Sequence, residues 1–379
     1  MDIRTTIAHA GLCADESNGA ISTPIHQTAT FRHPGPGCFS GYDYTRTANP
    51  TRAELERVMA DIEGGKGGFA FASGMAAITA VMALFGQGAH ILFSDDLYGG
   101  TWRLFEGIAP RFGITASYAD MSHPSTVESH FREETRAVFI ETPSNPMLKI
   151  VDIAAVAAIA KRRGVPCIVD NTFMTPYLQN PLALGADIVV HSGTKYLGGH
   201  NDTLCGIAVA ATDDLCARLA YIQNATGGVL SPMDSWLLLR GLKTLAIRLD
   251  RAQESAAKIA EWCALRADIT GVWYPGLPGH PGRAVQEKQA RGFGAMLSFR
   301  VKDRDAANRV LHGVRIISYA ESLGGVESLI THPATQTHAD IPLDIRERLG
   351  ITDTLLRLSV GIEAVDDLIE DLDQALANA

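Results

Sequence analysis

Four short apolar runs, AHILF (89–93), AVFIE (137–141), PCIVD (166–170) and ADIVVHS (186–192), take turns with helical segments through the first half of the chain. Each is bounded by turn residues or by a helical pattern, and so reads as a β-strand. Parallel strands need crossovers, and those are right-handed helical units. The alternation therefore predicts an α/β fold, a mostly parallel sheet with helices on both faces. Ligands of such sheets sit at the carboxyl ends of the strands. Here those ends present Glu141, Asp170 and Ser192, followed closely by Thr194 and Lys195.

A length of 379 residues exceeds the roughly 250–300 at which a single core stops growing, which predicts two domains. Residues 1–50, broken by Pro24, Pro34 and Pro36, read as an arm, 51–235 as the first domain and 236–379 as a smaller α+β domain. TRAELERVMADIEGG reads as a helix stopped by Gly64 and Gly65. DIAAVAAIAKRRG reads as another, with Asp152 at its start and Gly164 beyond its end. The last helix places Val365, Leu368, Ile369, Leu372 and Leu376 on one face, with Glu363, Asp366 and Asp367 in its first turn.

Composition narrows the function classes. A net charge of −9 and a pI near 5.7 argue against a nucleic-acid binder. Phe69 to Gly86 carries no charge over 18 residues, but Ser73 and Gly74 cut it. The dozen or so helical residues left span roughly 18 Å, against roughly 30 Å of hydrocarbon, so no membrane span is expected. The amino terminus lacks an apolar run, and a cytoplasmic protein is expected. The six cysteines at 13, 38, 167, 205, 216 and 263 form no C-x-x-C pair and read as reduced thiols. No His, Cys and carboxylate cluster has metal-ligand spacing, and no catalytic metal is expected.

Lys195 lies directly after an apolar strand in VVHSGTKYLGGHND, and Asp170 closes PCIVD. A lysine there is either a buried, useful amine or a helix-start residue capped by Ser192 and Thr194. A carboxylate at the end of a buried strand needs a cation. A pyridinium nitrogen would serve, and an aspartate plus a Schiff-base lysine are the two protein groups that pyridoxal phosphate chemistry requires. Ser73, Gly74 and Met75 open a helix whose amides would cradle the phosphate. No G-x-G-x-x-G fingerprint follows an early strand, which disfavours a nicotinamide dehydrogenase. A non-catalytic interaction protein would have no use for both Lys195 and Asp170.

YDYTRTANPTR (42–52), FASGMAAI (71–78), LYGGTWR (97–103), ETPSNP (141–146), VDNTF (169–173), HSGTKYLGGHND (191–202), AESLGGVESL (320–329) and LLRLSVGIE (355–363) together resemble the Cys/Met-metabolism family of pyridoxal-phosphate enzymes, in order and across nearly the whole chain. The resemblance implies the aspartate-aminotransferase type of fold (fold type I) and a homotetramer built from two catalytic dimers. It implies an internal aldimine on Lys195, Asp170 holding the pyridine nitrogen protonated, and Tyr98 stacked on the ring. Ser73, Gly74, Met75, Ser192 and Thr194 would hold the phosphate, with Tyr44 and Arg46 reaching it from the neighbouring subunit. Asn145 would contact the phenolic oxygen, and Arg357 would clamp the substrate carboxylate. Glu321, Ser322 and Thr337 would line the substrate side.

Within the family, Gly100 stands where methionine gamma-lyases carry cysteine, which counts against that activity. Glu321 looks like the glutamate that gamma-synthases and gamma-lyases place near the distal amino group. MALFGQG, LYGGTWRLFE, KYLGGHND and DSWLLLRGLKTL look most like bacterial cystathionine gamma-synthases, which replace the acyl group of an O-acylhomoserine with cysteine. Cystathionine gamma- or beta-lyase is the near rival. Gly193, where many relatives carry alanine, should leave lysine placement intact. Asp340 replaces a serine at the entrance loop, and His338 is a further pocket candidate.

Overall fold

The computed structural model describes residues 1–12, 18–38 and 41–377; Cys13 lies outside the described residues. The larger sheet contains β1 (Gly67–Phe71), β2 (His90–Ser94), β3 (Thr115–Ala119), β4 (Thr135–Glu141), β5 (Cys167–Asp170), β6 (Ile188–Ser192) and β7 (Gly206–Ala210). Their order is β1-β7-β6-β5-β4-β2-β3. Pairings among β2 to β6 and β3 are parallel, and β7 runs antiparallel to both its neighbours. All four expected strands are present. Three more, GGFAF, TASYA and GIAVA, are built from small or half-exposed residues and carry little strand signal.

Consecutive residues of β4 show why both faces are covered. Phe139 packs with Phe93, Ile78 and Val190 on one side, while Val138 packs with Leu92, Val169 and Val156 on the other. The expected helices form with their expected stops. Pro50–Glu63 is capped by Asn49 and ends at Gly64, whose φ is 74°, and Ile153–Arg162 is capped by Asp152. The uncharged stretch divides into the end of β1 and the helix Gly74–Met82. No helix of the described residues is long and apolar enough to cross a membrane.

A second sheet contains β8 (Ile269–Trp273), β9 (Met296–Val301), β10 (Ser318–Tyr319), β11 (Leu329–Thr331) and β12 (Leu355–Ser359), ordered β10-β11-β12-β9-β8. The last helix begins at Val365, so Glu363 precedes it instead of joining its first turn. Glu363 accepts from Ser328 N at 2.6 Å and Ser328 Oγ at 2.9 Å, partners that hold it outside the helix. One buried cluster runs from Leu55 and Met59 through Leu249 and Ile259 to Leu356 and Leu358, and so ties the two sheets together.

The glycine at the start of β7 allows the turn before Gly74–Met82 to rest on the sheet. A Cβ at Gly206 would stand 2.0 Å from Ser73 O and 2.9 Å from Gly74 N, both backbone atoms. Gly206→Ala is expected to lower stability by about 1–3 kcal/mol, the usual cost of overpacking. It should also weaken anion binding at residues 73–75. Urea unfolding with a wild-type midpoint would contradict this.

Candidate active site

A cavity of about 350 Å³ opens at the carboxyl ends of β4, β5 and β6, where the second sheet's β12 meets the first. Ser73, Gly74, Met75, Tyr98, Asn145, Asp170, Ser192, Thr194, Lys195, Glu321, Ser322, Thr337 and Arg357 all line it. Tyr44 and Arg46 do not. They line a separate open cleft, where Arg46 Nη1 donates to Asn224 O at 2.6 Å.

Lys195 sits in a turn after β6, not at a helix start. Gly198 N donates to Gly193 O at 2.9 Å, and Gly199 N to Lys195 O at 2.7 Å. Within that turn Gly193 is tightly enclosed, since a Cβ there would lie 2.9 Å from Cys205 Sγ; an alanine would need Cys205 to move. Lys195 Nζ donates to Ser322 Oγ at 2.6 Å. Burial and then the nearby Arg357 charge push the Lys195 amine down to about 8, against the pull of Glu321. Ser322 has φ of 102°, strained for a residue with a Cβ, and its carbonyl accepts from Arg357 Nη2 at 2.9 Å. The serine thus links the lysine to the arginine.

Asp170 Oδ1 accepts from Thr172 N at 3.0 Å and Thr172 Oγ1 at 2.5 Å. Burial raises its carboxyl above the usual range, opposed by the Thr172 bonds and by His191. Glu141 was visible in the sequence as a strand end but not as a site residue. It lies directly opposite Asp170 in the β4–β5 register, lines the cavity and accepts from Tyr98 N at 2.8 Å. Burial first, then Asp170, push Glu141 well above the carboxylate range. The negative charge of Asp170 thus favours the protonated form of Glu141.

On the phosphate side, Ser73 Oγ accepts from Ala76 N at 3.1 Å. Gly74 and Met75 lie in the first turn of a nine-residue helix, where amides have no intrahelical carbonyl to bind. A Cβ at Gly74 would lie 3.0 Å from Ser192 Cβ, so glycine keeps the amides close to the Ser192 hydroxyl. Tyr98 precedes the helix Gly99–Gly107 and is 37% exposed, with its hydroxyl raised by burial and Glu321. A Cβ at Gly100 would stand 2.4 Å from the Tyr98 ring, so a cysteine there requires the ring to shift.

Arg357 is 1% exposed and donates to Asn145 Oδ1 at 2.7 Å and Thr331 Oγ1 at 3.2 Å. Its Nε is buried without a partner, and no described carboxylate forms an ion pair with it. Burial pulls the guanidinium down to about 10. His338 proves to be a supporting residue outside the cavity lining. Fully buried and pushed down to about 4 by burial, it is neutral and donates from Nε2 to Asn145 O at 2.9 Å while Nδ1 accepts from Thr337 Oγ1 at 2.7 Å. Asp340 faces solvent, paired with Arg103 at 2.8 Å.

The donor set fits pyridoxal phosphate on two observations: helix amides beside two hydroxyls for the phosphate, and a carboxylate with an oxygen left over at the far end. Fold and site define a fold type I pyridoxal-phosphate enzyme. Residues 4–377 match the Cys/Met metabolism PLP-dependent enzyme family, and the chain belongs to it. It is 50% identical to a cystathionine gamma-lyase of Bacillus subtilis, with all of both chains covered. It is 48% identical to a cystathionine beta-lyase of Lactococcus lactis over 99% of this chain and 98% of the relative. The crystal structure of a cystathionine gamma synthase from Xanthomonas oryzae, in complex with aminoacrylate and cysteine, superposes with a TM-score of 0.97 at 43% identity. That match covers 100% of this chain and 98% of the other. This chain is therefore a trans-sulfuration enzyme that depends on pyridoxal phosphate.

An amine held at about 8 is neutral above that pH, while surface lysines stay charged to beyond pH 10. In cofactor-stripped protein, labelling of Lys195 by an amine-reactive reagent is expected to rise through an inflection near pH 8. Peptide mapping that finds Lys195 titrating with the surface lysines would refute the environment described.

Proposed function

We propose that this chain replaces the γ-substituent of an O-acylhomoserine with the thiol of cysteine, the cystathionine gamma-synthase reaction, with Lys195 carrying the cofactor. The observation that supports it best is Arg357, a buried guanidinium without a carboxylate beside an amine already poised near neutrality. A buried cation of that kind is completed by an anion from outside, and a substrate α-carboxylate matches its planar fork. Pyridoxal phosphate, when bound, supplies the electron sink that acidifies the α-hydrogen of an amino acid.

The chain's own groups then divide the work. Arg357 and Asn145 fix the α-carboxylate. Lys195 Nζ, released from Ser322 or returned to it, takes and gives back protons at the α- and β-carbons, a task suited to an amine near pH 8. With the cofactor bound, Asp170 would face the ring nitrogen and Asn145 Nδ2 the phenolic oxygen. Tyr98, held by Glu141 through its own amide, would cover the ring and exclude water. Glu321, exposed between this cavity and an adjoining cleft, meets the distal amino group of the longer substrate. Elimination from cystathionine is the second reading, favoured by the 50% identity to a gamma-lyase.

We assign residues 1–50 to the neighbouring subunit's site, in a homotetramer of two catalytic dimers. Tyr44 and Arg46 point to an open cleft away from this chain's own cavity, which suits a role in trans. We place the enzyme in the cytoplasm and divide it at 51–235 and 236–379.

Purified enzyme supplied with O-acylhomoserine and cysteine is expected to form cystathionine faster than it degrades cystathionine supplied alone. Faster release of 2-oxobutyrate or pyruvate from cystathionine would reassign the reaction to gamma- or beta-elimination. Lys195→Ala should lose the visible absorbance of the bound cofactor. Arg357→Lys should raise KM about 10- to 100-fold, since a charge-assisted hydrogen bond contributes on the order of 1.5–3 kcal/mol. An unchanged KM would remove Arg357 from carboxylate binding.

A further inference from the structure

Asn145 sits on a loop that is held from both sheets. From the second sheet, Arg357 Nη1 on β12 donates to Asn145 Oδ1 at 2.7 Å and Ser298 Oγ on β9 donates to Pro146 O at 2.8 Å, while His338 Nε2 adds a bond to Asn145 O at 2.9 Å. From the first sheet the hold comes from Asp96, two residues beyond the end of β2 and two before Tyr98. Its Oδ2 accepts from Ser144 Oγ and, at 3.1 Å, from Met147 N, one bond on each flank of Asn145. Lys149 N donates to the same Ser144 Oγ at 2.8 Å, which extends the hold to the far end of the loop.

Asp96 is 1% exposed, and its Oδ1 is buried without a partner. Lys149 acts on it through space but forms its ion pairs with Asp95 at 2.9 Å and Asp120 at 3.3 Å. Burial raises the Asp96 carboxyl to about 6, against the Ser144 bond and the Lys149 charge, so near neutral pH it is mostly an anion. A buried anion outside any ion pair is a costly way to fill space, and an apolar side chain would pack there at lower cost. An apolar side chain could not bind a hydroxyl and an amide at once, and bonds to a carboxylate are the stronger kind. The tie is also reciprocal. Glu141, at the end of β4, accepts from Tyr98 N at 2.8 Å and donates its own amide to Ser94 Oγ at 3.1 Å. Each of the two turns thus carries a carboxyl that reaches the other, with Tyr98 on one and Asn145 on the other.

We propose that Asp96 is a positioning residue that sets Asn145 against Arg357 and thereby shapes the seat of the substrate's α-carboxylate. The proposal rests on the assignment of Arg357 and Asn145 to that carboxylate. Asp96 itself does not line the cavity. It fixes the loop to the first sheet, so that Asn145 meets Arg357 at a set distance from Tyr98. Without the bonds to Ser144 and Met147 the loop follows the second sheet alone, and Arg357 keeps its charge but loses a partner that aims it.

The test is steady-state kinetics of purified holoenzyme, with KM read for O-acylhomoserine, or for cystathionine if that is the faster substrate. Asp96→Ala is expected to raise KM about 5- to 10-fold, the loss of one well-made hydrogen bond, and to leave kcat within about twofold, because a carboxylate seat acts on bound substrate and transition state alike. Ser144→Ala keeps the Met147 bond, should raise KM to a smaller degree, and carries the test if Asp96→Ala does not fold. In an Asn145→Ala background either substitution should add nothing further to KM, since both act through Asn145. A lowered melting temperature with an unmoved KM overturns the proposal, and so does a KM rise of the same size when Asn145 is already gone. Arg357→Lys measured in parallel separates the two assignments. An unmoved KM there, with Asp96 and Asn145 still non-additive, overturns the carboxylate role of Arg357 and leaves Asp96 as the residue that positions Asn145.

Discussion

Charge taken out of water at the seam between two sheets is the constraint on which this structure turns. Arg357 arrives on β12 of the second sheet, while Asp170 and Lys195 arrive on or just after β5 and β6 of the first. An unpaired buried ion costs several kcal/mol, a large share of the roughly 5–15 kcal/mol by which a folded chain is stable. The cost falls when a ligand with a carboxylate, a cationic heterocycle and a phosphate enters. Until then the fold holds the site together with apolar contact, through the cluster that joins Leu55, Leu249 and Leu358. Binding energy and folding energy are thus coupled at this cavity, and ligand addition stabilises the protein by mass action.

The same desolvation sets the reactivity of each group. Burial and Arg357 work together on Lys195, so the arginine proposed to hold a carboxylate also brings the nearby amine down to about 8. Ser322 connects the two with its side chain on one and its carbonyl on the other, in a backbone conformation that L residues seldom adopt. On the opposite wall, burial pushes Glu141 and Asp170 in the same direction, and the Asp170 charge adds to the push on Glu141. Close backbone approaches keep these distances short. A Cβ at Gly99 would lie 2.2 Å from Thr337 O, so the Tyr98 turn packs directly on the loop that carries Thr337.

The large sheet was legible wherever strands were rich in Val, Ile and Phe, and the strand ends alone singled out Asp170 and Lys195. Their pairing with a phosphate cradle could be argued from local chemistry. Arg357, Ser322 and Thr337 could not, because each reaches the cavity through contacts more than a hundred residues away in the chain, such as Lys195 with Ser322. Ser322 and Arg357 were found only through the resemblance of AESLGG and LLRLSVG to known motifs, and Thr337 only as a pocket candidate of the entrance loop. Asp96 escaped notice for a different reason. An acid in a turn between a strand and a helix reads as solvated, and only the tertiary fold shows the loop after β4 closing over it. The strands GGFAF and GIAVA escaped because glycine and alanine report close packing, not strand propensity.

Relatives named as gamma-lyase and beta-lyase stand at 50% and 48% identity to this chain, which says where specificity must lie. In the proposed reading Lys195, Asp170 and Arg357 perform steps common to replacement and elimination. They are locked by burial, so a change at any of them costs stability as well as activity. The rim is different. Glu321 is exposed, and Arg103 and Asp340 form an exposed ion pair, a kind that contributes only about 0–1 kcal/mol. Such residues can differ between enzymes without cost to the fold, and in the proposed reading Glu321, which lines the cavity, meets the distal half of the substrate. A buried floor and an exposed rim would let one scaffold serve several carbon–sulfur reactions, with the outcome decided by differences in orientation worth a few kcal/mol.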